Sequence, residues 1–534
     1  MRARDIGLFA ASGRTGALNA IVDVPGVAVG HVTRIAGDGP LVVGEGPVRT
    51  GVTVVVPRPE PVALNPVFAG IGRLNGNGEM TGSHWIEESG LLTSPIALTN
   101  THSVGVVRDA LVQVERSQRS GSDWWSLPVV AETWDGLLND INGSHVLAAD
   151  VWAALEAAGA SGAGRAATAA GAGPAGSASR AAGAGPAAGA SRAGGAFPVG
   201  GAAGVVGAGR VGGAIGVGSA GGAGGAGGAG GASRVGGAFP VGGAGPVAEG
   251  NVGSGTGMIC HGFKGGIGTS FRIVGGSAGD TDGEAQGDTG GEALGDTGGE
   301  ALGDTAGGVG SYTVGVLVQA NHGSRRRLVI DGFPVGLHLD ESVVPLPGGD
   351  LPEGMGSIIT VVATDAPLLP HQCRTLAART ALGIGRAGGV GEHWSGDLSI
   401  AFATGHSDLG RGGRSGTAGR SGTAGGSGSA GQAGSSGAPD RGSSGSPTRS
   451  PEDRARSLAD PPDLDTDHRE AAGAGPLMVD AGMLVALYEA TVDATEEAIV
   501  NALFAAETMT GRDGITAHAL PIDRVRELIS GQSG

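Results

Sequence analysis

Four runs of aliphatic and β-branched residues stand out along the chain: Val52-Thr-Val-Val-Val-Pro57, Tyr312-Thr-Val-Gly-Val-Leu-Val-Gln319, Ser357-Ile-Ile-Thr-Val-Val-Ala363 and Leu398-Ser-Ile-Ala-Phe-Ala403. Unbroken apolar runs of this length predict strands of a sheet. Two other stretches carry helical spacing. Pro370 opens the first, His371–Leu382, where Cys373, Leu376, Ala377 and Thr380 share one stripe and Gly383 is the expected stop. The second, Asp480–Thr508, presents Leu484, Leu487, Thr491, Ala494, Ala498 and Ala502 as a narrow face, with Gly511 just past its end. Small residues on that face predict close packing on a sheet. Alternating strand and helix signals predict an α/β fold.

Between these elements the pattern lapses three times. Residues 159–244 are nearly all Gly, Ala, Ser, Pro and Arg, and the segment Gly-Gly-Ala-Phe-Pro-Val-Gly-Gly-Ala occurs twice, from Gly194 and Gly236. Residues 278–308 repeat Gly-Asp-Thr with a period of 8, from Gly279, Gly287, Gly295 and Gly303, with Glu284, Glu292 and Glu300 between. A calcium-binding nonapeptide array needs another period and a Gly-Gly-x-Gly-x-Asp core, which is absent. Residues 408–475 are Gly/Ser-rich and then charged. Such compositions offer too little apolar bulk to offset ordering entropy, so all three read as insertions. What remains, roughly 350 residues, suits a single large domain.

Composition narrows the function. Of 534 residues 111 are Gly, in keeping with the insertions. The 51 acidic against 34 basic residues, a formal charge of −17, argue against nucleic acid or an anionic membrane as partner. Only two cysteines, Cys260 and Cys373, exclude a disulfide scaffold and fit a reduced, cytoplasmic compartment. The start, Met1-Arg-Ala-Arg-Asp-Ile-Gly, has no apolar core of a signal peptide. The most apolar long window, Val199–Gly218, holds Arg210 and many glycines, so no membrane span is expected.

Several chemical motifs fall short on their own terms. Gly257-Met-Ile-Cys-His-Gly262-Phe-Lys264 approaches a phosphate loop, but Phe263 separates the last Gly from Lys and Gly265 follows it. The twelve His show no metal-ligand spacing, and no metal or other cofactor is expected. Cys373 reads as a buried structural thiol, and adjacent Cys260 and His261 point to opposite faces if extended. One arrangement could work without a histidine. In Gly354-Met-Gly356-Ser357-Ile, cleavage before Ser357 would give it a free α-amine of pKa about 8 on the same residue as a hydroxyl nucleophile. An ordinary loop-to-strand Gly-Ser is the alternative reading of these residues.

At these residues the chain resembles the self-processing serine aminopeptidases of the L-aminopeptidase/D-esterase type, which include the β-aminopeptidases. The likeness runs through Asn19-Ala-Ile-Val-Asp-Val-Pro-Gly-Val-Ala-Val-Gly-His31, Gly72-Arg-Leu-Asn-Gly-Asn-Gly-Glu-Met-Thr-Gly82, Leu98-Thr-Asn-Thr-His-Ser-Val-Gly105 and Val130-Ala-Glu-Thr-Trp-Asp-Gly136. It continues through Gly250-Asn-Val-Gly-Ser-Gly-Thr-Gly-Met258, Leu317-Val-Gln-Ala-Asn-His-Gly323, Gly356-Ser-Ile-Ile359, Ser395-Gly-Asp397 and Thr508-Met-Thr-Gly-Arg-Asp-Gly514. These segments keep the family's order and span the chain outside the three insertions.

The resemblance implies a four-layer αββα sandwich, Ntn-hydrolase-like, cut between Gly356 and Ser357 into an α chain (1–356) and a β chain (357–534) that stay together in a homo-oligomer. Ser357 falls on the family's nucleophile. Ser395 and Asp397 fall on the serine and acid that hold the new α-amine, Asn321 on the oxyanion donor, and Glu132 on the residue that binds the substrate's free amino group. Trp134 stands where some members carry Tyr, which leaves an aromatic wall without the hydroxyl. The implied reaction is hydrolysis of amides or esters after small N-terminal L-, D- or β-amino acids through an acyl-enzyme, with a small peptide or amino-acid amide as substrate. Two other readings stand beside it: an acyltransferase resembling ornithine acetyltransferase, which self-cleaves before Thr, and a noncatalytic Gly/Ala-rich interaction protein on the same scaffold.

Overall fold

The computed structural model describes residues 1–119, 124–159, 246–275, 311–349, 356–406, 409 and 479–531. The inferred insertions 159–244, 278–308 and 408–475 lie outside the described residues, apart from Gly159 and Leu409. The strands are β1 (Ala28–Ala36), β2 (Val48–Val56), β3 (Val67–Arg73), β4 (Leu91–Leu92), β5 (Ile96–Asn100), β6 (Val129–Thr133), β7 (Ile259–Cys260), β8 (Phe263–Lys264), β9 (Gly266–Gly275), β10 (Ser311–Ala320), β11 (Ile358–Thr364), β12 (Leu398–Ala403), β13 (Met509–Thr510) and β14 (Thr516–Ala517). The helices are α1 (Ser83–Ser89), α2 (Val104–Gln118), α3 (Ala148–Ala157), α4 (Pro370–Arg386), α5 (Ala481–Ala505) and α6 (Ile522–Ser530).

Two sheets organise the chain. The smaller runs β1-β2-β5-β6 and the larger β4-β3-β12-β11-β10-β9. Each has one parallel pair, β5 with β6 and β11 with β12; its other pairs are antiparallel.

Strand periodicity sends alternate side chains to different layers. Val316, Val318, Ile358 and Val362 pack with Leu376 of α4 and Leu487 and Ala498 of α5. Their neighbours Leu317, Ile359 and Val361 face the other way, against Val55, Ile96, Leu98 and Val129 of the smaller sheet. Beyond that sheet, Val54, Ala97 and Val130 meet Val107 and Leu111 of α2 and Val151 and Leu155 of α3. The layers are therefore helix, sheet, sheet, helix, with both sheets covered on both faces. That double burial is why β10, β11 and β12 read as continuous apolar runs.

The expected elements are present with shifted ends. β2 starts at Val48, ahead of the apolar run, because Arg49 is buried with its guanidinium on the carbonyls of Ala36, Val48 and Thr510. The first helix does not stop at Gly383. A Cβ there would lie 2.6 Å from both Thr495 Cβ and the Val492 carbonyl, so this glycine marks where α5 presses on α4. Asp480 caps α5, accepting from the Met483 N–H at 2.8 Å, and Leu487, Thr491, Ala494, Ala498 and Ala502 are buried as expected. The helix ends at Ala505 rather than Thr508, since Ala506 turns to extended backbone leading into β13. Among the described residues no helix is long and apolar enough to cross a membrane.

Candidate active site

Ser357 sits just before β11, in the middle of the larger sheet. Antiparallel pairing sets Ala320 opposite Ile358, so Asn321 leaves β10 beside Ser357. Parallel pairing sets Ile359 against Leu398, which brings Ser395–Asp397 in on the other side. Topology alone thus gathers three chain segments at one end of the sheet's central strands.

Contacts finish the arrangement. Ser357 Oγ accepts from the Gly396 N–H at 2.9 Å. Asp397 Oδ1 accepts from the Ser395 hydroxyl at 2.5 Å and from the Ile358 N–H at 3.3 Å. Asn75, on the loop after β3, donates to Asp397 Oδ2 at 3.0 Å and accepts from the Asp397 N–H at 2.6 Å. Ser357, Ser395, Asp397 and Asn321 are all at most 4% exposed. Burial pushes the Asp397 carboxyl above the usual carboxylate range, against the pull of its hydrogen bonds.

Gly356 has φ +137, a region that side-chain-bearing residues rarely adopt. A Cβ there would also lie 1.9 Å from the Asn321 carbonyl oxygen and 2.9 Å from Asn321 Nδ2. The Asn321 amide therefore lies alongside the Gly356–Ser357 bond. Its Oδ1 accepts from the Ile259 N–H at 2.7 Å and its Nδ2 donates to the Trp134 carbonyl at 2.8 Å, rather than closing the Gly323 turn.

Glu132 belongs to β6, in the other sheet. Its Oε1 accepts from the Glu79 N–H at 2.9 Å and its Oε2 from the Thr101 hydroxyl. Burial raises its carboxyl above the ordinary value. A Cβ at Gly78 would lie 3.4 Å from Glu132 Oε1 and 2.9 Å from Gly396 Cα, so this glycine lies close to both the carboxylate and the peptide that donates to Ser357. Gln319 ties the sheets together nearby, donating to the Thr99 carbonyl at 3.1 Å and the Thr133 hydroxyl at 2.7 Å. The Trp134 indole is partly exposed and lies over Gly136.

All seven residues singled out in the sequence thus converge around the start of β11 and the facing end of β6. Asn75, Thr101 and Gly396 had no assigned role, although each lies in a segment quoted for the resemblance or next to one of its residues. Their contacts cross between distant elements, and no local spacing announces them.

Near Asn321 the structure corrects one expectation. Cys260, His261 and His322 bring three potential ligand atoms within 4.8 Å of one another, where the histidines had read as scattered. Cys260 Sγ lies 3.8 Å from His322 Nδ1, and His261 Nδ1 lies 3.1 Å from the Ser324 carbonyl. Burial pushes the thiol up to about 12 and the two rings down to about 3 and about 4, leaving all three neutral. A thiol so raised is no nucleophile. Cys373 is buried on α4, as expected, and burial raises its thiol as well. Lys264, the basic end of the apparent phosphate loop, is buried against backbone carbonyls.

The model of peptidase family S58 matches residues 19–201 and 238–517. Beta-peptidyl aminopeptidase BapA of Sphingosinicella microcystinivorans is 34% identical over 99% of this chain and 91% of its own. A beta-aminopeptidase of Burkholderia sp. superposes with a TM-score of 0.60 and 36% identity, covering 99% of both chains. The L-aminopeptidase D-Ala-esterase/amidase of Ochrobactrum anthropi, described as a prototype for the serine aminopeptidases and a variant of the Ntn hydrolase fold, superposes at 0.59 with 32% identity, over 100% of this chain and 99% of its own. With its candidate site residues lying in segments that this match spans, the chain belongs to peptidase family S58.

Proposed function

We propose that this protein is an aminopeptidase that cuts its own chain between Gly356 and Ser357 and then uses Ser357 as an N-terminal nucleophile. The carrying observation is the flanking of Ser357 by the Asn321 amide on one side and the Gly396, Ser395 and Asp397 group on the other, with Gly356 held at φ +137. In self-cleavage, Ser357 Oγ adds to the Gly356 carbonyl carbon and the C–N bond breaks. The hydroxyl proton ends on the departing nitrogen, and water then hydrolyses the resulting ester. The products are the Gly356 carboxylate and a free Ser357 amine.

In turnover that amine takes the proton of its own Oγ as the oxygen attacks the substrate carbonyl. Asn321 Nδ2 donates to the developing oxyanion, a contribution worth about 3 to 4 kcal/mol in other enzymes. The leaving amine receives the proton, and water, deprotonated by the same α-amine, releases the acyl group. Asp397 and Ser395 orient the α-amine: the contact of Asp397 Oδ1 with the Ile358 N–H supports this, because it aims the carboxylate at the Ser357 end of β11. Glu132 pairs with the substrate ammonium, which selects free N-terminal amines. The names of the relatives, a β-peptidyl aminopeptidase and an L-aminopeptidase D-Ala-esterase/amidase, support small L-, D- or β-amino acids at that position.

Intact mass tests the mechanism directly. The purified chain should separate under denaturing conditions into residues 1–356 and 357–534, about 34 and 17 kDa by proportion of 51.5 kDa. Ser357→Ala should remain one inactive chain. A full-length wild-type chain that hydrolyses alanine p-nitroanilide would overturn this reading.

A further inference from the structure

Lys264, on β8, has no solvent exposure, and among the described residues no carboxylate is a hydrogen-bond partner. Its ammonium donates to three backbone carbonyls: Gly255 at 3.2 Å, Met258 at 2.8 Å and Gly265 at 2.7 Å. Burial lowers the Lys264 pKa to about 7, and the three carbonyls match the three protons of its ammonium form.

One of these acceptors leads to the site. The Met258 carbonyl belongs to the same peptide unit as the Ile259 N–H, which donates to Asn321 Oδ1 at 2.7 Å. A cation on the carbonyl polarises that unit and strengthens its N–H as a donor. The orientation of the Asn321 amide follows. With Oδ1 on the Ile259 N–H, Nδ2 must face the Trp134 carbonyl and Gly356. The flipped amide would set donor against donor at the Ile259 N–H and acceptor against acceptor at the Trp134 carbonyl.

We propose that Lys264 is a positioning residue for the reaction: through the Met258–Ile259 peptide its ammonium locks the Asn321 amide with Nδ2 toward the carbonyl under attack. This rests on the assignment of Asn321 as oxyanion donor. It makes an interior lysine, which touches no substrate, part of what sets the rate. A purely structural clamp on the β7–β8 hairpin would predict stability effects without a link to Asn321.

A double-mutant cycle separates the two. Lys264→Met removes charge and donors, whereas Lys264→Gln removes the charge but keeps two donors for the carbonyls. Each should lower kcat on alanine p-nitroanilide by about tenfold, with KM within about twofold, when rates are normalised to chain beginning at Ser357. In an Asn321→Ala background the same changes should cost nothing more. The cycle is read on kcat where processed chain accumulates, and on the rate of self-cleavage where it does not. Equal losses in both backgrounds overturn the role of Lys264 and leave Asn321 standing. A normal kcat and self-cleavage rate in Asn321→Ala overturn the oxyanion assignment itself. If Lys264→Gln fails to fold as Lys264→Met does, Lys264 is a structural clamp and the proposal is wrong.

Discussion

In the proposed role, Glu132 would set both specificity and pH response. Its carboxylate is held by the Glu79 N–H and the Thr101 hydroxyl, yet desolvation still raises its pKa. Pairing with a substrate ammonium needs the ionised form. Because the pKa is raised, that form is lost as pH falls, and at a higher pH than for an exposed glutamate. KM for a free-amine substrate should therefore climb on acidification while KM for an ester lacking the amine stays flat. Glu132→Gln should lower kcat/KM on alanine p-nitroanilide by roughly 10- to 100-fold, the scale of one charged hydrogen bond. Self-cleavage, which involves no substrate amine, should proceed. Comparable rates of the wild type on free and N-acetylated alanine p-nitroanilide would remove Glu132 from this role.

Elements differ in how openly the sequence declares them. β10, β11 and β12 were legible because their buried stretches are covered on both faces and consist mostly of apolar residues. β9 is just as buried but carries Thr269, Ser270 and Arg272, whose partners are remote in sequence: Ser270 donates to the Ala494 carbonyl at 2.6 Å and Arg272 pairs with Glu497 at 2.7 Å. No local pattern reveals a polar strand satisfied by a distant helix. The same limit applied to the site. Taken locally, Gly356-Ser357 reads as an ordinary loop-to-strand junction far more readily than as a cleavage point. Asn321, Asp397 and Glu132 were picked out through family resemblance, and Lys264 and Asn75 had no role until the strands were paired. β1 offers a test of its own. Among the described residues His31 hydrogen-bonds only with Thr53, at 2.9 Å, and burial lowers its imidazole to about 4. The unfolded chain takes up the proton near pH 6.5, so this stability is fully present above that pH and is lost as pH falls toward about 4. Relative to His31→Asn, the wild type should lose about 3 kcal/mol of unfolding free energy across that window, read from denaturant midpoints. Parallel pH slopes for the two proteins would mean that His31 titrates normally.

For the whole molecule, the proposed cut falls where it disturbs the fold least. Ser357 precedes Ile358, the first paired residue of β11, so breaking the Gly356–Ser357 bond removes no rung of the β10–β11 or β11–β12 ladders. Residues 357–534 would then supply β11 and β12, the two central strands of the larger sheet, while β3 and β10 of residues 1–356 flank them. The core between the sheets is shared across the cut as well: Ile359, Val361, Leu398, Ile400 and Phe402 from one piece pack with Ile71, Leu98, Val129 and Leu317 from the other. Burying five such aliphatic and aromatic side chains is worth on the order of 10 kcal/mol before the β-ladders and the α5–β9 contact are counted. The pieces should therefore co-elute on gel filtration after complete processing, and they should part only at the denaturant concentration where near-ultraviolet circular dichroism is lost. If the 17 kDa piece came away while the native signal persisted, residues 357–534 could not be the centre of this sheet, and both the cut position and the strand order would have to be redrawn.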